Sequence, residues 1–430
     1  MKILDGRKAN FWGQLTRVPR SQAADPKVQA VVAGILDAVR KRGDAALVRL
    51  NDKFSRVRIS ASKLRIGKHE IAAAAKSVPP ELKKAITFAQ TNVTAFANKS
   101  KRESWRIKNR QGAWIGEMFQ PFRRVGCYVP GGTAPLVSTS LMTITLAKVA
   151  GVPEIVAVTP PPVHAGLLYA LDRAGATEIY RVGGAQAIAA LAFGTKTIRA
   201  VNKIIGPGNA FVTEAKRQVF GTVAIDLLAG PSEVLVIADA TADPAFVAAD
   251  MLAQAEHGPG YQVYLVTDSD AVLKATQAEV RKQTARLTRK GIITAAQAAS
   301  MVLVRARNMT QAVAIANELA VEHVEVMFAS LRRAEALAKK LTTSGAIFLG
   351  PHTPTVVGDF VAGPSHVLPT GGAGRSFAGL TVDQFQRRTS VVCYGKSALR
   401  KSLDALLAFS QAEQLDAHAW SAAIRFGRTR

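Results

Sequence analysis

From residue 125 onward the chain alternates short β-branched runs with helical stretches, and this period constrains the fold more than any other feature. Strand-like runs at 155–158, 179–182 and 204–205 are separated by helical stretches at 141–150, 165–173, 185–193 and 210–219. A second series places strand-like runs at 234–237, 263–266, 302–304, 324–328 and 346–349. Parallel strands need a crossover helix between them, so the pattern predicts an α/β fold of two doubly wound, incomplete Rossmann-like modules with parallel sheets. Upstream, 28–42 and 80–97 space their apolar residues at about 3.6 and predict helices, while 114–129 predicts one strand. After about 381 the pattern changes to an amphipathic helix over 402–411 followed by Leu415-Asp416-Ala417-His418. Small helical N- and C-terminal appendages therefore complete the expected architecture.

With 430 residues, 48% of them apolar, the chain can bury a large core in two or three domains. The longest apolar region, 141–158, is interrupted by Lys148, Pro153 and Glu154, so no membrane span is expected. Asp5 comes too early for a signal peptide. Two cysteines, Cys127 and Cys393, cannot build a disulfide framework or a Cys-rich zinc site, which points to a reducing cytoplasm. The net charge of +25 invites a nucleic-acid reading. The cations are dispersed, however. The densest runs are 99–110, which contains Trp105, and 281–290, which reads as a solvated helix face. Weak adhesion at low salt is expected, and no sequence-specific nucleic-acid partner.

Four groups of residues carry chemistry. The first lies in 225–257, IDLLAGPSEVLVIADATADPAFVAADMLAQAEH, where a Gly230-Pro231-Ser232 turn precedes an apolar strand and an amphipathic helix. Gln254 and His257, three apart, share one face of that helix and can bind a metal together; alone, such a pair is equally a helix end with a surface histidine. The second is Glu322-His323, an acid beside an imidazole at the start of a strand: two proton-transfer groups, or a polar strand edge. The third is the glycine turns Pro130-Gly131-Gly132, Gly183-Gly184 and Gly206-Pro207-Gly208-Asn209, each after a strand and before a helix. Backbone N–H groups there suit a phosphate, although Phe211 breaks the dinucleotide fingerprint. The fourth is Asp359, His366, Glu413 and His418. Gln254, His257, Asp359 and the late histidines form a hard N/O donor set that suits zinc or manganese over copper.

In this order along nearly the whole chain, the motifs resemble the histidinol dehydrogenase family. The resemblance rests on 225–257, Val125-Gly126-Cys127-Tyr128-Val129-Pro130-Gly131-Gly132, Gly206-Pro207-Gly208-Asn209, Glu322-His323, Gly358-Asp359, His366-Val367-Leu368-Pro369-Thr370 and Asp416-Ala417-His418. It implies a zinc- and NAD-dependent oxidation of L-histidinol to L-histidine through the aldehyde, in histidine biosynthesis. One zinc per subunit would be held by Gln254, His257, Asp359 and His418. Glu322 and His323 would be catalytic. Ser232, His366 and Glu413 would contact substrate together with Gln254, His257, His323, Asp359 and His418. Tyr128, Gln186 and Asn209 would contact NAD. The tail histidine would reach the neighbouring subunit's site in a homodimer.

The same resemblance divides the chain into an arm (1–25), a discontinuous metal and acid–base module (26–124 and 232–378), an NAD module (125–231) and an appendage serving the partner's site (379–430). Cys127 is read as packing. Val321, Ser365, Phe211 and Phe360 depart from the family's common residues. They leave a second reading open: a paralogous zinc/NAD dehydrogenase for another small polar alcohol, such as a sulfonated diol.

Overall fold

The computed structural model describes residues 1–18, 20, 25–131 and 135–427. Gly132, in the first glycine turn, and residues 19 and 21–24 of the expected arm lie outside that set. Glu233–Ala238, Gln262–Thr267, Met301–Arg305, His323–Met327 and Ala346–Leu349 form one sheet, with Lys2–Asp5 as a sixth strand on the edge beside Met301–Arg305. Arg124–Tyr128, Glu154–Val158, Glu178–Tyr180, Lys203–Ile205 and Ala224–Ile225 form a second sheet. All strand pairs in both are parallel, so the expected pair of doubly wound modules is present.

The strand order is the same in both sheets. The first strand of each series is central, the second and third lie to one side, and the fourth and fifth to the other. Each sheet thus has a switch point, between Glu233–Ala238 and His323–Met327 in one and between Arg124–Tyr128 and Lys203–Ile205 in the other.

The helix that carries Gln254, with His257 just beyond its end, is Pro244–Ala255. Asp243 caps it by accepting from the Ala245 N–H at 2.8 Å, and Pro244 occupies its first turn with a preset φ. Val247, Ala248, Met251, Leu252 and Ala255 bury one face against Val234 and Val236. The crossover carries the chain from the end of one parallel strand back to the start of the next. The helix C-terminus therefore arrives at the amino ends of the strands.

Three features differ from the sequence expectation. Residues 114–129 form two strands, Trp114–Pro121 and Arg124–Tyr128, in different sheets. The first joins Trp105–Lys108 and Gln386–Cys393 in an antiparallel sheet, and Pro121, without an N–H, ends it. Residues 2–5, expected in an arm, are a strand that buries only Leu4 fully, too little apolar pattern to read.

The third difference is a correction of grouping. The helices Pro26–Arg42, Asp44–Ser55 and Pro80–Ser100 pack on the five-stranded sheet and not on the six-stranded one, although Asn92 of the third also donates to the Val361 carbonyl at 2.8 Å. Val32, Val39 and Leu47 share a core with Val156, Val158 and Tyr180, while Ile86 and Val93 share one with Val125, Cys127 and Ile155. Alternate strand residues face opposite ways, so a parallel sheet presents two apolar faces that both need helical cover. The early helices supply part of it.

Candidate active site

At the six-stranded sheet the expected residues gather at the amino ends of the two strands that flank its switch point, opposite to the carboxyl-end crevice that open α/β sheets ordinarily use. Ser232 immediately precedes one strand, and Glu322 and His323 open the other. The main chain of Glu233 holds both proton-transfer groups. Its N–H donates to Glu322 Oε2 at 3.0 Å, and its carbonyl accepts from His323 Nδ1 at 3.1 Å. That second bond fixes the proton on Nδ1 and leaves Nε2 with a free lone pair. Nε2 lies 3.9 Å from Asp359 Oδ1.

Burial sets the protonation of this group. It pushes the His323 imidazole down to about 4, so the ring is neutral at pH 7. It holds the Glu322 carboxyl well above its ordinary range, against the bonds from the Glu233 N–H and the Ser232 hydroxyl. Burial also raises Asp359 to about 6 and lowers His257 and His366. His257 and His366 both act electrostatically on His323, which places them in the same cluster. His366 donates through Nδ1 to the Asp359 carbonyl at 2.8 Å, and its Nε2 meets the Thr139 hydroxyl at 3.2 Å. Asp359 sits on the short helix Thr355–Phe360, which can approach the Phe348 ring only because residue 358 is glycine: a Cβ there would lie 2.6 Å from the ring. Phe348 in turn packs 5.9 Å from the His323 ring.

Gln254 lies on the last turn of Pro244–Ala255, with His257 just beyond. Gln254 is buried, and its Nε2 has no partner. An unpartnered amide NH2 calls for an acceptor, since leaving it bare costs about 1–3 kcal/mol; turning the amide over would present its oxygen there instead, the atom that binds a metal. The helix end also carries partial negative charge, which favours a cation there. Gln254, His257 and Asp359 supply oxygen and nitrogen donors that suit zinc. Among the described residues no three His, Cys, Asp or Glu side chains meet as a metal group. His418, on the helix Asp416–Ala423, and Glu413, at the end of Lys396–Ala412, are exposed on the tail. The single chain therefore does not add His418 to His257 and Asp359.

Tyr128, Gln186 and Asn209 fall elsewhere, at the carboxyl ends of the five-stranded sheet around its switch point. The Tyr128 hydroxyl accepts from the Gly184 N–H at 3.1 Å, and Asn209 Oδ1 caps the next helix by accepting from Phe211 and Val212 N–H, each at 3.1 Å. Gln186 is buried on the helix Gly184–Phe193. Gly206, at φ +113°, leaves no room for a Cβ, which would lie 2.2 Å from the Tyr128 carbonyl oxygen. Its N–H donates to Asp226 Oδ2 at 2.7 Å and its carbonyl accepts from Lys216 Nζ at 3.0 Å; Lys216 and Asp226 are themselves a buried ion pair. Cys127 is buried and its thiol is pushed up to about 12 by burial, so it packs and is not a thiolate.

Sequence reasoning missed Glu233. It stands beside Ser232 in the most informative stretch, and an acid opening an otherwise apolar strand was the available signal. Thr139, which meets His366, carried none.

The family model described as histidinol dehydrogenase matches residues 18–426. Histidinol dehydrogenase of Heliobacterium mobile is 43% identical over 405 residues, covering 93% of this chain and 94% of its own length. That of Rhodopseudomonas palustris is 43% identical over 412 residues, covering 95% and 94%. The crystal structure of histidinol dehydrogenase from Elizabethkingia anophelis superposes with a TM-score of 0.94 at 35% identity, covering 99% of this chain and 98% of that one. With sequence and backbone in agreement from end to end, the chain belongs to the histidinol dehydrogenase family.

Proposed function

We propose that the protein oxidises L-histidinol to L-histidine through L-histidinaldehyde, passing two hydrides to NAD, with one zinc per subunit held by Gln254, His257, Asp359 and His418 of the partner subunit. The observation that carries the reading is the pair of bonds from the backbone of one residue, Glu233, to two proton-transfer groups, Glu322 and His323, beside Asp359. Bound zinc would supply a Lewis acid that fixes the amino alcohol and orients its carbinol carbon.

His323 Nε2 takes the hydroxyl proton as hydride leaves, and the imidazolium so formed faces the Asp359 carboxylate. Glu322 then takes a proton from the water that hydrates the aldehyde; its raised pKa strengthens it as a base and also confines that role to its ionised form, which the Glu233 N–H and the Ser232 hydroxyl favour. Ser232, His366 and Glu413 bind substrate in this reading. Tyr128, Gln186 and Asn209 line the nicotinamide dinucleotide's side.

A homodimer with shared sites is part of the same proposal. The antiparallel sheet of Trp105–Lys108, Trp114–Pro121 and Gln386–Cys393 exposes apolar side chains on both faces, Ile107 and Val392 on one and Trp114 and Val391 on the other. Phe409 on the tail is 67% exposed. Three strands with water on both faces make a poor independent unit, and a second copy would cover them. No helix among the described residues is long and apolar enough to cross a membrane. Both cysteines are free, which fits a cytoplasmic setting.

The test is stoichiometric. Histidinol should yield two NADH per molecule, and removal of metal by a chelator should abolish that yield until zinc is restored. Turnover of a sulfonated diol with none of histidinol would instead favour the paralogue, and no specific nucleic-acid partner belongs to either reading.

A further inference from the structure

The buried carboxylate of Glu233 has a partner from the far N-terminus. Arg20 donates through Nε to Oε1 at 3.1 Å, and through Nη2 to Oε1 at 2.7 Å and Oε2 at 2.8 Å. Its remaining nitrogen, Nη1, donates to the Leu319 carbonyl at 2.5 Å. Leu319 ends the helix Met309–Leu319, where carbonyls lack helical partners, and lies three residues before Glu322. Arg20 thus bridges the two strands that meet at the switch point. One arm of the fork holds the residue whose peptide carries Glu322 and His323, and the other holds the segment that leads into Glu322.

The guanidinium is largely buried and Glu233 almost wholly so, with side-chain exposures of 14% and 2%. Gly371 N–H adds a bond to Glu233 Oε2 at 3.1 Å. Arg20 follows the helix Phe11–Thr16, which is anchored by buried Phe11 and Leu15 against the same sheet. A planar fork reaching one acceptor on a strand and another at the helix end that leads into the next strand fixes their relative position in a way that a lysine ammonium cannot.

We propose that Arg20 is a positioning residue for the oxidation: it clamps the amino ends of the two strands that flank the switch point so that the Glu233 backbone holds Glu322 and His323 in register. The inference rests on the reading of Glu322 and His323 as the acid–base pair.

The test uses the full chain with zinc bound. Arg20→Ala and Arg20→Lys should keep the fold by circular dichroism and keep their zinc by elemental analysis, while kcat for histidinol falls about 10- to 100-fold, the range that small misplacements cost. KM for histidinol and for NAD should stay within about threefold, because neither ligand touches Arg20 in this reading. Added guanidinium ion should restore part of the kcat of Arg20→Ala, and methylammonium should not. Glu233→Gln, which keeps the peptide bonds but loses the charged partner, should show the same split between kcat and KM even if Arg20→Ala folds poorly. Unchanged kcat in a folded, zinc-loaded Arg20 variant would overturn the inference. So would a loss of activity that tracks only the loss of folded protein with no guanidinium rescue. Glu322→Gln and His323→Ala serve as controls for the underlying reading: if they retain full activity, that reading fails, whereas their loss beside an unaffected Arg20→Ala removes the clamp alone.

Discussion

His323 donates its Nδ1 proton to the carbonyl of Glu233, 90 positions earlier in the chain and on the neighbouring strand, at 3.1 Å. One bond between adjacent strands therefore decides which nitrogen of the ring is free for chemistry. The same residue's N–H holds Glu322, so the acid and the imidazole are oriented by one rigid unit of sheet and not by a loop.

The two groups should separate kinetically. Glu322→Gln should reduce the second oxidation by about 10²- to 10⁴-fold, the usual worth of a general base, and spare the first. Single-turnover NADH formation from histidinol and from the aldehyde checks this. Equal losses in both half-reactions would remove the water-activating role from Glu322.

Shared sites predict complementation. His418→Asn should release zinc more readily, and Gln254→Ala should be inactive because it removes a ligand that the other subunit of the shared site supplies. Mixed one to one and allowed to exchange, the two should recover about a quarter of wild-type activity, because half the dimers are mixed and each has one intact site. Activity that stays at the level of the separate variants would mean that His418 does not act across an interface.

Cys127 should be dispensable for chemistry. Its thiol, raised to about 12, is not a nucleophile at neutral pH. Cys127→Ala should retain both half-reactions and lose on the order of 1 kcal/mol of stability through the small cavity left in the core. Alkylation of the native enzyme should leave buried Cys127 unmarked by mass spectrometry and turnover intact.

Glu325 and Asp250 are neighbouring buried carboxyls behind the site, and Glu325 Oε1 accepts from the Thr355 N–H at 2.7 Å. Burial, with Asp250's charge second, raises Glu325 to about 8, and burial raises Asp250 to about 6. A carboxyl raised on folding takes up a proton as the chain folds. Its stabilising contribution is full below the unfolded value near 4.5 and is lost as pH climbs toward 8. Urea unfolding across that interval should show the wild type losing stability with rising pH relative to Glu325→Gln. Parallel curves for the two proteins would mean that the pair does not hold a proton.

The Lys216–Asp226 pair should matter to the cofactor side. Asp226→Asn leaves a buried ammonium uncompensated and frees the Gly206 N–H, which should cost about 3–5 kcal/mol of stability. In the surviving folded protein, KM for NAD should rise while KM for histidinol holds. An unchanged KM for NAD would separate this loop from cofactor binding.

The alternation of strand and helix from residue 125 onward determined the two parallel sheets, because a 3.6 period and a buried β-branched run are local properties of the chain. The motifs likewise placed Gln254, His257, Glu322, His323 and Asp359 together as candidates, since their residue types and their positions at element ends are written in sequence. Strand order was not, because it depends on which sheet edge each crossover reaches. For the same reason the helices of 26–100 were assigned to the wrong sheet: amphipathic spacing says that a face is apolar but not which core receives it. The site's place at the amino ends of the strands, the proton on His323 Nδ1 and the contact of Arg20 with Glu233 were decided only by tertiary structure. Each joins residues tens to hundreds of positions apart through hydrogen bonds and burial, and these act on distance in space, which the order of residues along the chain does not specify.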